Sequence, residues 1–258
     1  MNNIPFVGLH AHSVAGSIFD AMGYPPDHMD FAYSNGMDAL ALTDHGNMNG
    51  LSWQVLHAKK MKKEGKNFKP IFGVEAYFIP SLDEWRADYE KHKEDKKNKT
   101  EDDTVSGATV EDENASKKEI KSIINRRRHL VLLAQNQKGL NNIFKLVSES
   151  YKTENFYRYP RLDYALLEKH NEGIIALSAC LGGVYAGCYW ENREKGESAI
   201  LASFRETTKR MMDIFGDRWY GVGRISYLLK EKQLGQSLAG LEYMADCWIF
   251  RMVGQKMP

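Results

Sequence analysis

Leu9-His10-Ala11-His12, Leu42-Thr43-Asp44-His45-Gly46 and Gly73-Val74-Glu75-Ala76-Tyr77 decide the fold. Each closes, or nearly closes, a short apolar run, and each delivers an imidazole or a carboxylate there. Five such runs, at residues 5–9, 39–42, 70–78, 130–134 and 173–177, read as buried strands. Their aliphatic content without alternation suits a parallel sheet covered on its outer face. Between them lie helical patterns at residues 26–35, 51–63, 140–151 and 199–215. Strands alternating with helices predict an α/β fold built of β/α units, and 258 residues suffice for one β/α barrel. In such a barrel the C-terminal strand ends meet on one rim, so His10, His12, Asp44, His45 and Glu75 converge there. Cys180, just after the fifth run, joins them. His129 is the exception, because it opens the fourth run instead of closing it.

The residue types point to chemistry. Imidazole, carboxylate and thiolate together suit a divalent metal cluster of zinc, manganese or iron better than magnesium alone. Alternate strand residues face one side, so His10 and His12 can grip neighbouring ions. Asp44 and His45 are the candidate catalytic pair, with Asp44 either orienting the adjacent imidazole or ligating directly. A strand-end histidine by itself is more often a hydrogen-bonded structural residue, and a lone cysteine more often a small buried hydrophobe. The combination carries the reading, because independent strand ends supply one site. His28, His57, His92 and His170 fall on helical patterns or in a charged stretch and read as structural or solvated.

Composition excludes little. The chain is 43% hydrophobic and 27% charged with a net charge of +1, so bulk charge gives no case for a nucleic-acid partner. No apolar run is long enough to span a bilayer, and residues 1–9 do not read as a signal peptide. Three cysteines, Cys180, Cys188 and Cys247, form no disulfide framework and suit a reducing, cytoplasmic setting. Residues 83–128 are rich in charge and poor in large apolar side chains after Tyr89. They read as a solvated insertion between barrel units, open to trypsin from about residue 89 to 125. The other reading is a charged arm whose end, Arg126, Arg127 and Arg128, touches a phosphate backbone.

Several segments resemble the PHP (polymerase and histidinol phosphatase) superfamily, and in particular the N-terminal PHP domain of bacterial or phage-type DNA polymerase III alpha subunits. Phe6-Val7-Gly8-Leu9-His10-Ala11-His12-Ser13, Ile18-Phe19-Asp20, Ala41-Leu42-Thr43-Asp44-His45-Gly46-Asn47 and Pro70-Ile71-Phe72-Gly73-Val74-Glu75-Ala76-Tyr77 look like the successive motifs. His129 through Asn142, Phe156 through Asp163 and Gly173 through Gly183 are similar to the polymerase branch rather than to free-standing phosphatases. The resemblance implies a distorted β/α barrel of PHP type. It places His10, His12, Asp20, His45, Glu75, His129 and Cys180 at metal-ligand positions. It also implies a phosphoesterase or 3′–5′ exonuclease role in DNA replication, with DNA, the remaining polymerase domains and replisome subunits as partners and no membrane. The alternatives are a catalytically inactive structural platform and a free-standing PHP phosphatase.

The likeness runs to about residue 220 and then stops. Relatives supply a final D-x-H pair, whereas here no histidine follows His170. The expected organisation is therefore a PHP domain at 1–220 and a divergent tail at 221–258. A frameshift or truncation would account for the tail and would leave the barrel incomplete at its C-terminus. An apolar face of Leu228, Leu229, Leu238, Leu241 and Met244 would let that tail form a helix.

Overall fold

A computed structural model of the chain describes residues 6–101, 124–216, 224–228 and 233–238. Residues 1–5, 102–123 within the charged insertion, and 217–223, 229–232 and 239–258 towards the C-terminus lie outside the described residues, as do the expectations that fall on them. The described chain is a mixed α/β fold: a four-stranded sheet with seven α-helices and two small two-stranded sheets.

The sheet has the order β1 (Ala39–Leu42), β2 (Lys69–Phe78), β3 (Arg128–Ala134), β6 (Ile174–Leu177). The expected first strand is represented by one parallel bridge, Gly8 to Leu40, beside β1. The end strands β1 and β6 do not pair, so the described sheet is an open arc.

The expected all-parallel arrangement is corrected here. β1 and β2 pair in parallel, but β3 runs antiparallel to both β2 and β6. Its register sets Tyr77 opposite His129 and Glu75 opposite Val131. The reversal explains the anomaly of His129: a residue that opens a reversed strand lies on the rim where its neighbours end.

Alternation along the strands divides the interior into two. Val74, Ala76, Phe78, Leu130 and Leu132 point outward onto Ile143 and Leu146 of α4 (Gln137–Ser150), Leu167 of α5 (Tyr164–Lys169), and Met211, Ile214 and Phe215 of α7 (Glu197–Phe215). Ala41, Val131, Leu133 and Leu177 pack on the opposite, inner face. Glu75 and Tyr77 share that inner face, since strand residues two apart lie on one side. At the β1 edge, Met29 and Ala32 of α1 (Pro25–Ser34) and Met61 of α2 (Leu51–Lys63) cover Leu40 and Leu42.

Local sequence accounts for the helix starts. Asn136 caps α4 by accepting from Gly139 N at 3.0 Å. A Cβ at Gly139 would lie 1.8 Å from Gly173 O, so only glycine allows the helix to begin against β6. Asp163 caps two helices at once. One oxygen accepts from Leu166 N of α5 and the other from Leu82 N of α3 (Leu82–Glu101), both at 3.0 Å.

The charged insertion thus opens as a helix rooted in the fold. Ile79, Leu82 and Trp85 form a small apolar cluster, against which Tyr89 and Tyr157 pack. Trp85 Nε1 donates to Ile124 O at 2.9 Å, which ties the start of the segment to its end. Between α4 and α5 sit the short strands β4 (Phe156–Tyr157) and β5 (Tyr159–Pro160). After β6 come α6 (Val184–Asn192) and α7, and the first part of the tail pairs as β7 (Arg224–Leu228) with β8 (Gln233–Leu238). Leu228 and Leu238 therefore end strands and do not share a helix face.

Candidate metal centre

Glu75 is the centre of the site. Its side chain is fully buried, and both oxygens face donors from other strands. Oε1 lies 3.2 Å from His10 Nε2, 3.0 Å from His129 Nδ1 and 3.8 Å from Cys180 Sγ. Oε2 lies 2.6 Å from His45 Nδ1 and 3.5 Å from His12 Nε2. The structure therefore brings His10, His12, His45, Glu75, His129 and Cys180 together. The His12 and His45 rings stack at 4.2 Å, and His10 meets His12 edge-on at 4.9 Å.

Asp20 stands at the edge of this group. Its Oδ2 is 2.7 Å from His45 Nε2, on the side of the ring away from Glu75, and it is about half exposed. Asp44 is turned elsewhere. Its oxygens accept from Ser13 N at 2.6 Å, Ser13 Oγ at 2.8 Å and Ser17 Oγ at 3.0 Å. Ser17 Oγ in turn accepts from His45 N at 3.0 Å. Asp44 thus fixes the loop that carries Asp20 and steadies the His45 backbone, while the imidazole itself is held by Glu75 and Asp20.

Backbone shape aims the ligands. Gly46 has a φ of +67°, and a Cβ there would meet Pro160 Cγ at 2.9 Å, so the turn that places His45 demands glycine. Ala179 also takes a left-handed φ, 59°, immediately before Cys180. Gly182 N then donates to Cys180 Sγ at 3.3 Å.

The electrostatics follow from a buried carboxylate amid imidazoles. Burial alone would raise the Glu75 carboxyl, but His10, His129 and His45 outweigh it and hold it well below the usual range. Burial likewise lowers His129, yet Cys180 and Glu75 prevail and raise it to about 9. Cys180 is lowered, chiefly by the His129 hydrogen bond. His12 is lowered by burial and by the neighbouring His45. His45 is raised because its two carboxylate partners overcome its burial.

The donor set fits divalent ions. His10, His12 and Glu75 form one group, and His45, Glu75 and His129 another, with the donor atoms of each within 4.8 Å of one another. His10 Nε2, His12 Nδ1, His45 Nδ1 and Glu75 Oε2 are buried without a properly directed hydrogen bond. For His45 and Glu75 this holds even at 2.6 Å, a close ionic contact without a well-directed hydrogen bond. Orphaned buried atoms of this kind require a partner. Glu75, common to both groups, can bridge two ions.

Sequence reading missed Ser13, Ser17 and Tyr77. Tyr77 stacks on His45 at 6.0 Å and 7° and meets His129 edge-on at 5.4 Å. Its place two residues after Glu75 on a strand was the available signal. Of the histidines set aside, His57 joins α2 to α1 through Asp30 at 2.9 Å.

Comparison with known proteins identifies the family. The PHP domain family matches residues 8–222. The DNA polymerase III subunit alpha of Aquifex aeolicus is 35% identical over 215 residues, covering 83% of this chain and 15% of that protein. The subunit alpha of Borreliella burgdorferi is 33% identical over 215 residues, with the same coverages, and that of Deinococcus radiodurans is 31% identical over 219, covering 83% and 13%. This chain therefore spans about one-seventh of such relatives. A solved structure of a candidate metal-dependent phosphoesterase from Bifidobacterium adolescentis is 14% identical over 84% of this chain and 86% of that one. The TM-score of that pair is 0.35. The family match over most of the chain shows that it belongs to the PHP domain family.

Proposed function

We propose that this chain is the metal-dependent phosphoesterase domain of a replicative DNA polymerase subunit of the alpha type, with a 3′–5′ exonuclease role on DNA. The observation that carries the reading is the buried Glu75 carboxylate, approached by four imidazoles and a thiol from separate strands and loops. His10, His12, His45, Glu75, His129 and Cys180 would hold the ions, with Asp20 completing the rim. The mixture of nitrogen, oxygen and sulfur donors favours zinc, manganese or iron. Divalent ions bound there supply Lewis acidity toward a phosphoryl oxygen and toward water. The chain's own part is to exclude solvent around Glu75, to orient His45 through Asp20, and to keep a partly exposed carboxylate at the mouth where a proton must leave. The names of the relatives support DNA, the remaining polymerase domains and other replisome subunits as partners. Among the described residues no helix is long and apolar enough to cross a membrane.

The test is bound metal and nuclease activity on the purified chain. Wild type should carry divalent metal and, with manganese, release nucleotides from single-stranded DNA, and His12→Ala should abolish the release. Unchanged metal content in both His10→Ala and His45→Ala would sink the site assignment. A second reading, a metal-holding platform without turnover, draws on the single peripheral carboxylate, Asp20, that reaches the cluster among the described residues. Full metal content with no phosphoester cleavage would establish it.

A further inference from the structure

The three consecutive arginines that precede β3's histidine have three different surroundings. Arg128 donates to Glu191 at 2.5 and 3.2 Å and leans on α6 at Gly187. The Arg126 side chain is exposed. Arg127 is partly buried over two tyrosines, its Cζ 3.7 Å from the Tyr159 ring centre and 5.4 Å from that of Tyr77. Its Nη1 donates to Asn125 O at 3.2 Å, its Nε is buried without a partner, and it forms no ion pair among the described residues.

Tyr77 separates this guanidinium from the metal centre, for its other neighbours are the rings of His45 and His129. A second cation lies alongside. Arg161 is fully buried and donates only to backbone carbonyls, at Tyr157, Tyr159, Ile124 and Arg126. The two guanidiniums thus meet at Tyr159, and among the described residues neither pairs with a carboxylate. A guanidinium at stacking distance from a ring directs its N–H edge away from that ring, and its planar fork matches the oxygens of a phosphate; in Arg127, Nη1 already gives one proton to Asn125 O. Stacking has already fixed the side chain, so little rotamer entropy remains to be lost on binding.

We infer that Arg127 is a phosphate-binding residue that holds the phosphate group of a ligand entering the metal centre. The choice of phosphate among anions rests on the phosphoesterase reading. Arg127 acts as a positioning residue beyond Tyr77, distinct from the ligands that hold the metal.

The experiment titrates inorganic phosphate into the metal-loaded full chain by calorimetry at fixed ionic strength. It compares wild type with Arg127→Gln, Arg127→Lys and Arg126→Gln, and records bound metal and melting temperature for each. Loss of one charged hydrogen-bonding partner should weaken phosphate binding by about 10-fold or more in R127Q, with metal content unchanged. R127K should fall between, and R126Q should bind as wild type. Equal binding by R127Q and wild type, equal losses in R126Q and R127Q, or no phosphate binding by wild type would each overturn the inference. If R127Q sheds metal, R127K decides by the same titration: binding equal to wild type rejects the role of the fork. Phosphate binding that depends on Arg127 without phosphodiester hydrolysis would refute the phosphoesterase reading alone. Hydrolysis with an unchanged KM in R127Q would refute this inference alone.

Discussion

Arg161 offers the sharpest test of how the site is supported. The side chain is 0% exposed, and its donors reach Tyr157 O and Tyr159 O at 2.9 Å, Ile124 O at 3.0 Å and Arg126 O at 3.3 Å. The Trp85 ring covers its other face at 4.5 Å. The guanidinium thus joins β4–β5 to the segment that leads into β3 and His129. Burial lowers its pKa to about 10, so it remains charged in neutral solution. Arg161→Met keeps much of the volume and removes every donor. Hydrogen bonds from a charged group contribute about 1.5–3 kcal/mol each, so four of them come to about 6–12 kcal/mol. The desolvation of a buried charge offsets several kcal/mol of this, and the variant is relieved of that cost. Stranded carbonyls then leave a net loss of about 3–4 kcal/mol. For a chain of this size that corresponds to a drop in Tm of roughly 6–16 °C. Thermal unfolding followed by circular dichroism reads it directly. Arg161→Lys, which keeps the charge but lacks the planar fork, should fall between. A drop below about 2 °C in R161M would show that the four contacts contribute nothing net, and the account of how β3 is anchored would fail.

Two further outcomes are expected. Glu75→Gln should lower metal affinity by at least about 100-fold, because each of the two donor groups loses its shared charged ligand. It should also bring His129 down from about 9 toward its ordinary 6.5, as read by NMR titration of the metal-free protein; undiminished metal in E75Q would refute the bridging role. In the metal-free protein, the raised His129 contributes stability that is complete below about pH 6.5 and is lost as pH rises through about 9. The lowered Glu75 contributes stability that is present above about pH 4.5 and is lost as pH falls. Melting in EDTA should therefore be highest between those limits and lower at pH 9. Added metal reverses the trend, because protons compete for the same donors. A Tm in EDTA that climbs steadily from pH 6 to pH 9 would contradict the ion-pair network.

Much of the centre was legible because metal-capable side chains are unusual at the ends of apolar runs. His10, His12, His45, Glu75 and Cys180 announce themselves by type and place. The direction of β3 was not read, since an apolar run such as Leu130 to Ala134 has the same pattern in either sense. The clue was His129 itself, which can reach the common rim only if its strand is reversed. Asp44 shows the opposite failure. Its position beside His45 suggests chemistry, but its partners Ser13 and Ser17 lie 31 and 27 residues away, and no local rule reveals that they fill its oxygens. The beginning of the charged stretch misled through averaging: Leu82 and Trp85 suffice to root a helix that is polar for the rest of its length.

The reversal of β3 has an architectural consequence. β2 ends and β3 begins at the same rim, so the segment between them departs from the doorway of the site and returns to it. In a strictly parallel barrel that connection would have to travel to the far end. Lengthening a segment whose two feet are already pinned costs only loop-closure entropy, about 0.6 kcal/mol for each doubling. Trp85 and Ile124 are those feet, joined by a hydrogen bond. Related chains can therefore exchange, extend or delete the material between them at little cost to folding, so long as the two feet stay joined.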